Sequence, residues 1–395
     1  MLTPLDAMER LVARLRPVDA ERVALHAAAG RVLAEAVLAD RDSPAHDVSA
    51  MDGYAVRLGD LSNETLAVAG EVATGHEPPE MPSGKALRIF TGGCVPSGAE
   101  AVIRREDVEE APAQIRLTVP AETIRAGQNI RRRGENLAAG AVVVEAGEVV
   151  GPSVMSAMAS FGCVEPTVYR RVRVGVVVTG DELLDVAARP EPWQLRDSNG
   201  PVVEAMFGAL PWVDWQGVVR VHDSMEALTE ALSEQLAGCD AVLLTGGVSM
   251  GDYDHVPAAV REVGGEVLFH KLAIRPGKPM LAAVGPSGQA ILGLPGNPVS
   301  VMVTARLFGA TALRRRAGFS RADAPTAMVR LVNADEKSLR LWWHRPVRLV
   351  GPGEAELVAG MGSGDVASAA RSDGFVRLPA EAAGEGPWAY WPWSV

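Results

Sequence analysis

The sequence predicts an α/β plus β protein built from a doubly wound α/β domain, a β domain inserted ahead of it, and a C-terminal β domain. Three observations predict this. Apolar β-type runs in the middle of the chain each end in a glycine-rich turn: RVRVGVVVTGDEL (171–183), DAVLLTGGVSMGDYD (240–254) and AILGLPGNPVSVMV (290–303). Strands alternate with helical patterns over 171–318, the mark of a doubly wound unit. Short β-type runs broken by Gly and Pro fill 42–130 and return over 326–395. In such a sheet the strand-end turns gather at the carboxyl edge, where ligands bind.

The first helix is read from Leu5, Met8, Leu11, Val12 and Leu15, which share one face, with Pro4 in the first turn. The first 40 residues or so are alanine-rich and read as helical. From residue 42 the runs LAVAGEV, KALRIFTGG, EAVIRRE and QIRLTVP read as strands, and a further helix is expected at SVMSAMASFG. Helices are expected near 200–209, 224–237, 256–263 and 299–316, between the central strands. Sequence character before and after the 42–130 block is alike, so that block reads as an insertion. The division is a discontinuous N-terminal domain (1–41 and 131–169), the inserted β domain (42–130), the α/β domain (170–318) and the C-terminal β domain (319–395).

Composition narrows the function. A chain of 395 residues with 48% hydrophobic content has ample core for two to four domains. No apolar stretch approaches the ~18–20 residues of a membrane span. The segment MLTPLDAMERLVARLRP carries acids and reads as a helix rather than a signal peptide. Cys94, Cys163 and Cys239 are scattered and lack zinc-type spacing, which points to buried thiols in a reducing cytoplasm. A net charge of −11 argues against nucleic acid as a partner.

Any anion site must then be a local concentration of positive charge. Lysine is scarce, and two of the four lysines fall with Arg275 in HKLAIRPGKP (270–279). In an extended run Lys271, Ala273 and Arg275 share one face, and Lys278 follows a Pro276-Gly277 turn. Such a segment either binds an anion, which relieves the repulsion of like charges, or is an edge strand protected by cations.

No P-loop, GxGxxG or HExxH pattern is present. Residues 247–251 satisfy GxSxG, but a Gly pair already makes the turn and no oxyanion-hole loop precedes it, so the serine-hydrolase reading is set aside. In TGDEL, Thr179 and Gly180 end a strand and place Asp181 and Glu182 at the sheet's mouth. These acids either cap a following helix or, opposite a second turn with Asp252 and Asp254, supply oxygen ligands for Mg²⁺. Capping suits Asp181 and a functional role suits Glu182. The DSNGP turn offers Asp197, Ser198 and Asn199 as hydrogen-bond partners. In PGNPVS, Pro298 can open a helix whose free N–H groups face a phosphate, and the same residues can equally make a structural turn.

Taken together, the segments SAMDGYAV (49–56), RIFTGGCVPSGAEAVI (88–103), GQNIRRRGENLAAG (127–140), TGDEL, DSN, TGGVSMGDYD, KLAIRPGKP, LPGNPVS and GSGDVASAARSDGFVRLP (362–379) resemble the molybdopterin molybdenumtransferases, the family of MoeA and the gephyrin E domain. The resemblance covers nearly the whole chain, with the pieces in the family's order. It implies an elongated homodimer of four-domain subunits, with a molybdopterin-binding α/β domain. It also implies insertion of molybdate into adenylylated molybdopterin, with Mg²⁺-dependent release of AMP.

By resemblance, Asp52 and Thr91 reach the cleft, from the inserted domain of a neighbouring subunit. Glu182 and Asp254 match acidic positions tied to catalysis and metal, and Lys271 and Arg275 match basic positions suited to an oxyanion. Thr179, Gly180, Asp197, Ser198, Asn199, Gly246, Gly247, Ser249, Lys278 and the turn Pro295, Gly296, Asn297, Pro298 are expected on the cofactor side. Ser363 and Ser368 match the serine-containing C-terminal motif. Asn136 stands where some relatives carry aspartate, so an acid there is dispensable or replaced by Glu135; Arg275 replaces a common lysine with a bidentate fork.

The expected partners are a molybdopterin adenylyltransferase and molybdoenzyme maturation factors. The competing functional readings are a scaffold or carrier that binds molybdenum cofactor without turnover, and the adenylyl transfer step itself.

Overall fold

The computed structural model describes residues 1–248, 255–322 and 327–395. The chain forms two compact units, one of Met1–Glu35, Glu145–Ser156 and Val164–Val395, the other of Ala36–Val144 and Ala157–Cys163.

The first unit is organised on a six-stranded sheet of β1 (Val172–Thr179), β2 (Val213–Val221), β3 (Ala241–Thr245), β4 (Glu266–His270), β5 (Leu281–Val284) and β6 (Ala290–Leu294). Their spatial order is β2-β1-β3-β6-β5-β4. The pairs β1–β2, β1–β3 and β3–β6 are parallel, whereas β5 runs antiparallel to both its neighbours. The sheet is therefore mixed, with the parallel part carrying the three glycine turns.

Every residue of β3 and β6 is buried, as expected of strands covered on both faces. One face, with Val174, Val176, Val178 and Leu243, packs on α1 (Pro4–Arg14), α2 (Asn199–Phe207) and the helical stretch after β6. The other, with Val177, Val242, Leu244 and Ile291, packs on α3 (Met225–Gly238) and α4 (Val256–Glu262). The helix expected over 299–316 is three pieces end to end: α5 (Pro298–Thr304), a π turn (Ala305–Gly309) and α6 (Ala310–Arg316).

One sequence expectation fails here. Only Pro4–Arg14 is α-helical in the first 40 residues; Pro17 cannot continue the helix, and the chain goes on to a short strand (Ala20–Arg22), a 3₁₀ turn (Leu25–Ala28) and a second short strand (Val37–Leu38). Ala7 and Leu11 of that helix and Leu15 at its C-cap are fully buried, but Leu5 stands 49% exposed, so its apolar stripe is wider than the core it covers.

The C-terminal sheet comprises β7 (Ala327–Leu331), β8 (Trp342–Gly351), β9 (Glu354–Leu357), β10 (Gly374–Leu378) and β11 (Trp388–Pro392). β8 pairs with both β9 and β10, and the order β8-β9-β7-β11-β10 closes on itself. Closure pairs the two outer strands, β8 and β10, with each other. Val329, Leu331, Val347, Ala355, Val376 and Leu378 make its core. The two-residue strand Ile274–Arg275 adds to β8 in parallel, Arg275 opposite Trp343, so the cationic segment is hydrogen-bonded to the barrel.

The second unit holds another six-stranded sheet, in the order 101–104, 53–56, 85–89, 65–72, 114–117, 108–111. Gly53 lies so close to the next strand that an added Cβ would sit 1.9 Å from the Ile103 carbonyl oxygen.

At the amino ends of the central strands the α/β sheet is fastened by Asp240. This buried carboxylate takes hydrogen bonds from Arg170 (2.6 and 2.8 Å) and from the Arg173 backbone N–H (2.9 Å), with Arg316 3.6 Å away. Burial alone would raise its pKa, but the hydrogen bonds from Arg170 and Arg173 outweigh it and hold the carboxyl far below the usual range. The stabilisation is complete above the unfolded pKa, about 4, and declines as pH falls below that value toward the folded pKa. Asp240→Asn should therefore cost about 3–5 kcal/mol at pH 7. Denaturant unfolding at pH 7 and pH 3 should show the wild-type advantage shrinking at the lower pH; an advantage that stays constant would contradict this assignment.

Candidate active site

The glycine turns meet at the carboxyl edge of β1, β3 and β6. Gly246 takes φ +94° and Gly247 φ +59°, backbone values that disfavour other residues. A Cβ at Gly246 would stand 2.3 Å from the Thr179 carbonyl oxygen, and one at Gly296 3.7 Å from the Gly246 Cα. The Asn199 side-chain amide donates to the Gly296 carbonyl at 2.9 Å, tying the DSN turn to the PGNP turn. Asn199 is buried, and its Oδ1 has no hydrogen-bond partner among the described residues. Asp197, also buried, accepts from the Asn199 and Gly200 N–H groups and from Arg220, so it builds the turn. Ser198 is exposed beside it.

No helix follows TGDEL, which overturns the capping expectation for Asp181. The chain instead makes a two-residue parallel pair, Leu183–Leu184 with Leu195–Arg196. Asp181 accepts from His222 Nδ1 (3.0 Å) and the Asp223 N–H (3.2 Å), and these bonds, His222 first, lower its pKa. Thr179, buried, donates to Asp223 at 3.0 Å. Glu182 is exposed at the same edge. Ser249 and Asp254, with most of the GxSxG match, lie outside the described residues.

A cleft of about 1260 Å³ opens beside this edge, between the sheet's turns and the barrel. Arg275, Lys278, Pro295, Asn297, Ser363 and Ser368 line it, and the barrel adds Lys337, Trp343 and Arg345. Its acids are already engaged: Asp335 takes a bidentate pair from Arg345 (2.6 and 2.8 Å), and Asp365 accepts from the Met361 and Ser368 N–H groups at 3.0 Å. Arg345 in turn lies over the Trp343 ring, 4.2 Å from its centroid. Arg275 and Lys278 are exposed in the cleft and make no ion pair among the described residues. Two exposed cations thus face a concave surface whose two acids are committed elsewhere, which gives it a positive character.

The structure redistributes the sequence-predicted residues. Lys271 takes φ +72°, so the extended run breaks there, and it does not line the cleft with Arg275. Its neighbour His270 bonds the Val248 carbonyl at 3.0 Å, which holds this segment beside the second glycine turn. Pro298 does open α5, but the Val299 N–H already donates to the Ser363 carbonyl at 3.0 Å. That bond seats the C-terminal serine motif on the PGNP turn, which gives the turn a structural task. Ser368 is buried, donating to the Asp365 carbonyl at 2.8 Å, and shapes the same loop.

In the second unit Asp52 accepts from both the backbone N–H and the hydroxyl of Thr91 at 2.8 Å. Those bonds, backbone first, lower its pKa, with Arg105 and Arg88 helping. Asn136 accepts from Arg131 and donates to Ser43, while Glu135 takes the Arg132 N–H.

Two family models match the chain: the MoeA N-terminal region (domain I and II) over residues 2–162, and the probable molybdopterin binding domain over 175–315. The chain is 35% identical to the molybdopterin molybdenumtransferase of Nostoc sp., covering 80% of this chain and 74% of that one. It is 38% identical to that of Haemophilus influenzae, covering 77% and 75%. The chain belongs to the molybdopterin molybdenumtransferase family. It is thus a transferase of molybdenum cofactor biosynthesis. The architecture agrees: two solved structures of the molybdopterin biosynthesis MoeA protein from Pyrococcus horikoshii superpose with TM-scores of 0.78 and 0.81, at 29% and 26% identity. They cover 100% and 99% of this chain, and the same shares of theirs. No helix among the described residues is long and apolar enough to cross a membrane.

Sequence reasoning missed Asp223, which sits at the strand end of β2 beside both Thr179 and Gly247; an acid just past a β-type run was its only signal. It also missed the barrel's contribution. His344 on β8 is buried at the cleft, and burial, then Arg377, against a weaker opposing contact with the Arg275 backbone, pushes its pKa down to about 3, so it is neutral at pH 7.

Gly246→Ala should cost about 1–3 kcal/mol through the backbone alone and, by separating the first two turns, lower activity. Gly288→Ala, also at positive φ but with open space around it, is the control. Thermal unfolding and turnover of both variants check this; equal losses of activity would deny the close approach its role.

Proposed function

We propose that this chain inserts molybdate into adenylylated molybdopterin and releases AMP, in the cleft between the strand-end turns and the barrel. The observation that carries this reading is the pair of exposed cations, Arg275 and Lys278, facing that cleft without an ion pair among the described residues. A tetrahedral dianion suits a guanidinium fork beside an ammonium. The glycine turns let backbone approach the pterin side of the substrate, and the unpartnered Asn199 Oδ1 offers an acceptor at its edge. The Pro295–Pro298 turn and the Ser363 loop form the opposite wall of the same cleft.

Mg²⁺ fits the donor chemistry. Glu182 is an exposed hard-oxygen ligand at the sheet edge, and Mg²⁺ is usually held by one or two carboxylates together with substrate phosphates. In this reading Glu182 and Asp254 would hold the ion, which when bound neutralises charge on the pyrophosphate. By the family resemblance Thr179, Gly180, Gly247 and Ser249 would serve the cofactor side, Ser249 lying outside the described residues, while Asp197 builds the turn that presents Asn199.

The family resemblance further supports a four-domain cytoplasmic homodimer in which Asp52 and Thr91 serve the neighbouring subunit's site. Their mutual hydrogen bonds keep the Asp52 carboxylate ionised and oriented for that purpose. An adenylyltransferase upstream and maturation factors downstream are the partners this chemistry requires.

Purified protein given adenylylated molybdopterin, Mg²⁺ and molybdate should release AMP; bound substrate with no AMP released would instead favour the carrier reading. Arg275→Ala should raise the molybdate concentration for half-maximal release by roughly tenfold to a hundredfold, the loss of one charged hydrogen-bond pair. Arg275→Lys should recover part of it, and pterin binding should change little. Lys271→Ala should have the smaller effect on molybdate, because Lys271 does not line the cleft. Glu182→Gln should shift the Mg²⁺ dependence of AMP release to higher concentration; an unchanged Mg²⁺ titration would remove Glu182 from the metal role.

A further inference from the structure

The apolar stripe of α1 extends past the core, and its surplus has a place to go. Leu5, Met8 and Val12 line a second, smaller groove of about 480 Å³, completed by Leu307, Thr311 and Trp391. It shares no lining residue with the cleft of the active site. A volume of this size is within the range of small-molecule sites, about 300–1000 Å³.

Two arginines set its chemistry. Arg306 is 4% exposed and sits in the π turn, the irregular stretch of the 298–316 helix. Its Nε donates to the Pro392 and Ser394 carbonyls at 2.8 and 3.0 Å. Arg377, on β10, is stacked over Trp391 (4.5 Å) and Trp342 (5.4 Å). Neither pairs with a carboxylate among the described residues. Burial, then the nearby Arg314, pushes the Arg306 pKa down to about 10, and burial lowers that of Arg377 too.

A buried guanidinium ordinarily keeps an anion beside it, because desolvation without a counter-charge is costly. Here carbonyls and indole faces hold the two guanidiniums in place, and no carboxylate among the described residues supplies the counter-charge. Single π turns inside helices recur at functional positions, and this one places Arg306 at the groove. The remaining charges favour the same sign of ligand: Arg321 is exposed on the rim, and Glu9, also exposed, is the one acid in the lining among the described residues.

We propose that this groove binds a small organic oxyanion, its apolar body against Leu5, Met8, Val12 and Leu307 and its carboxylate or phosphate head on Arg306 and Arg377. The site is independent of the molybdate cleft and needs none of the residues assigned there.

Calorimetric titration of the full chain tests it with three probes of one shape: 1-naphthoate, 1-naphthyl phosphate and the neutral 1-naphthamide. One or both anions should bind saturably at one site per chain, the stronger identifying the preferred head group, and the amide should not bind. Arg377→Gln should weaken the anion by about tenfold or more. Leu5→Glu, at a 49% exposed position where folding is not at stake, should do the same by placing a like charge at the mouth. Absence of saturable anion binding, equal binding of the amide, or wild-type affinity in folded Leu5→Glu would each overturn the proposal.

Discussion

The site depends on a steric constraint: three strand ends must come within backbone contact of one another. At Gly246 no side chain fits, because a Cβ would penetrate the Thr179 carbonyl, and Gly296 approaches the same point from the third strand. Once those turns touch, the groups around them are positioned by consequence. Asn199 reaches the Gly296 carbonyl, Thr179 reaches Asp223, and the Val299 N–H reaches the C-terminal serine loop. The cleft is then assembled from pieces far apart in sequence.

A second constraint acts from the other end of the sheet. Asp240 gathers Arg170, Arg173 and Arg316 at the amino ends of the strands, so the parallel sheet is fixed there while its carboxyl edge is left to irregular, glycine-dependent backbone. The barrel is joined to this frame through Ile274–Arg275, whose hydrogen bonds to β8 hold Arg275 level with Trp343. Arg275, the residue proposed to face the anion, is thus on the short strand that pairs with the barrel, a precise place to hold a charge.

Much of this was legible in sequence because it is local. Buried parallel strands read as apolar runs, their turns as Gly and Pro, and the helices between them as periodic stretches; all of these reappear where expected. What failed was set by tertiary partners. Asp181 was expected to cap a helix, yet His222 and the Asp223 N–H claim it from the neighbouring strand. Period two placed Lys271 beside Arg275, but a positive φ at Lys271 breaks the strand before Arg275 pairs with the barrel. Leu5 belonged to the right stripe and still faces a groove, because the core of the first unit ends at Ala7 and Leu11. The cation-lined character of the cleft was visible only in part, since Lys337 and the Trp343–Arg345 stack arrive from a barrel whose closure no local pattern announces.

Anomalous X-ray scattering at the molybdenum edge, from crystals of the protein soaked in molybdate, tests the central claim most directly. The account predicts one strong peak in the cleft, within hydrogen-bond or ion-pair reach of Arg275 and Lys278 and beside the Pro295–Pro298 turn. A strong peak elsewhere on the chain, with that position empty while the same preparation releases AMP, would contradict it.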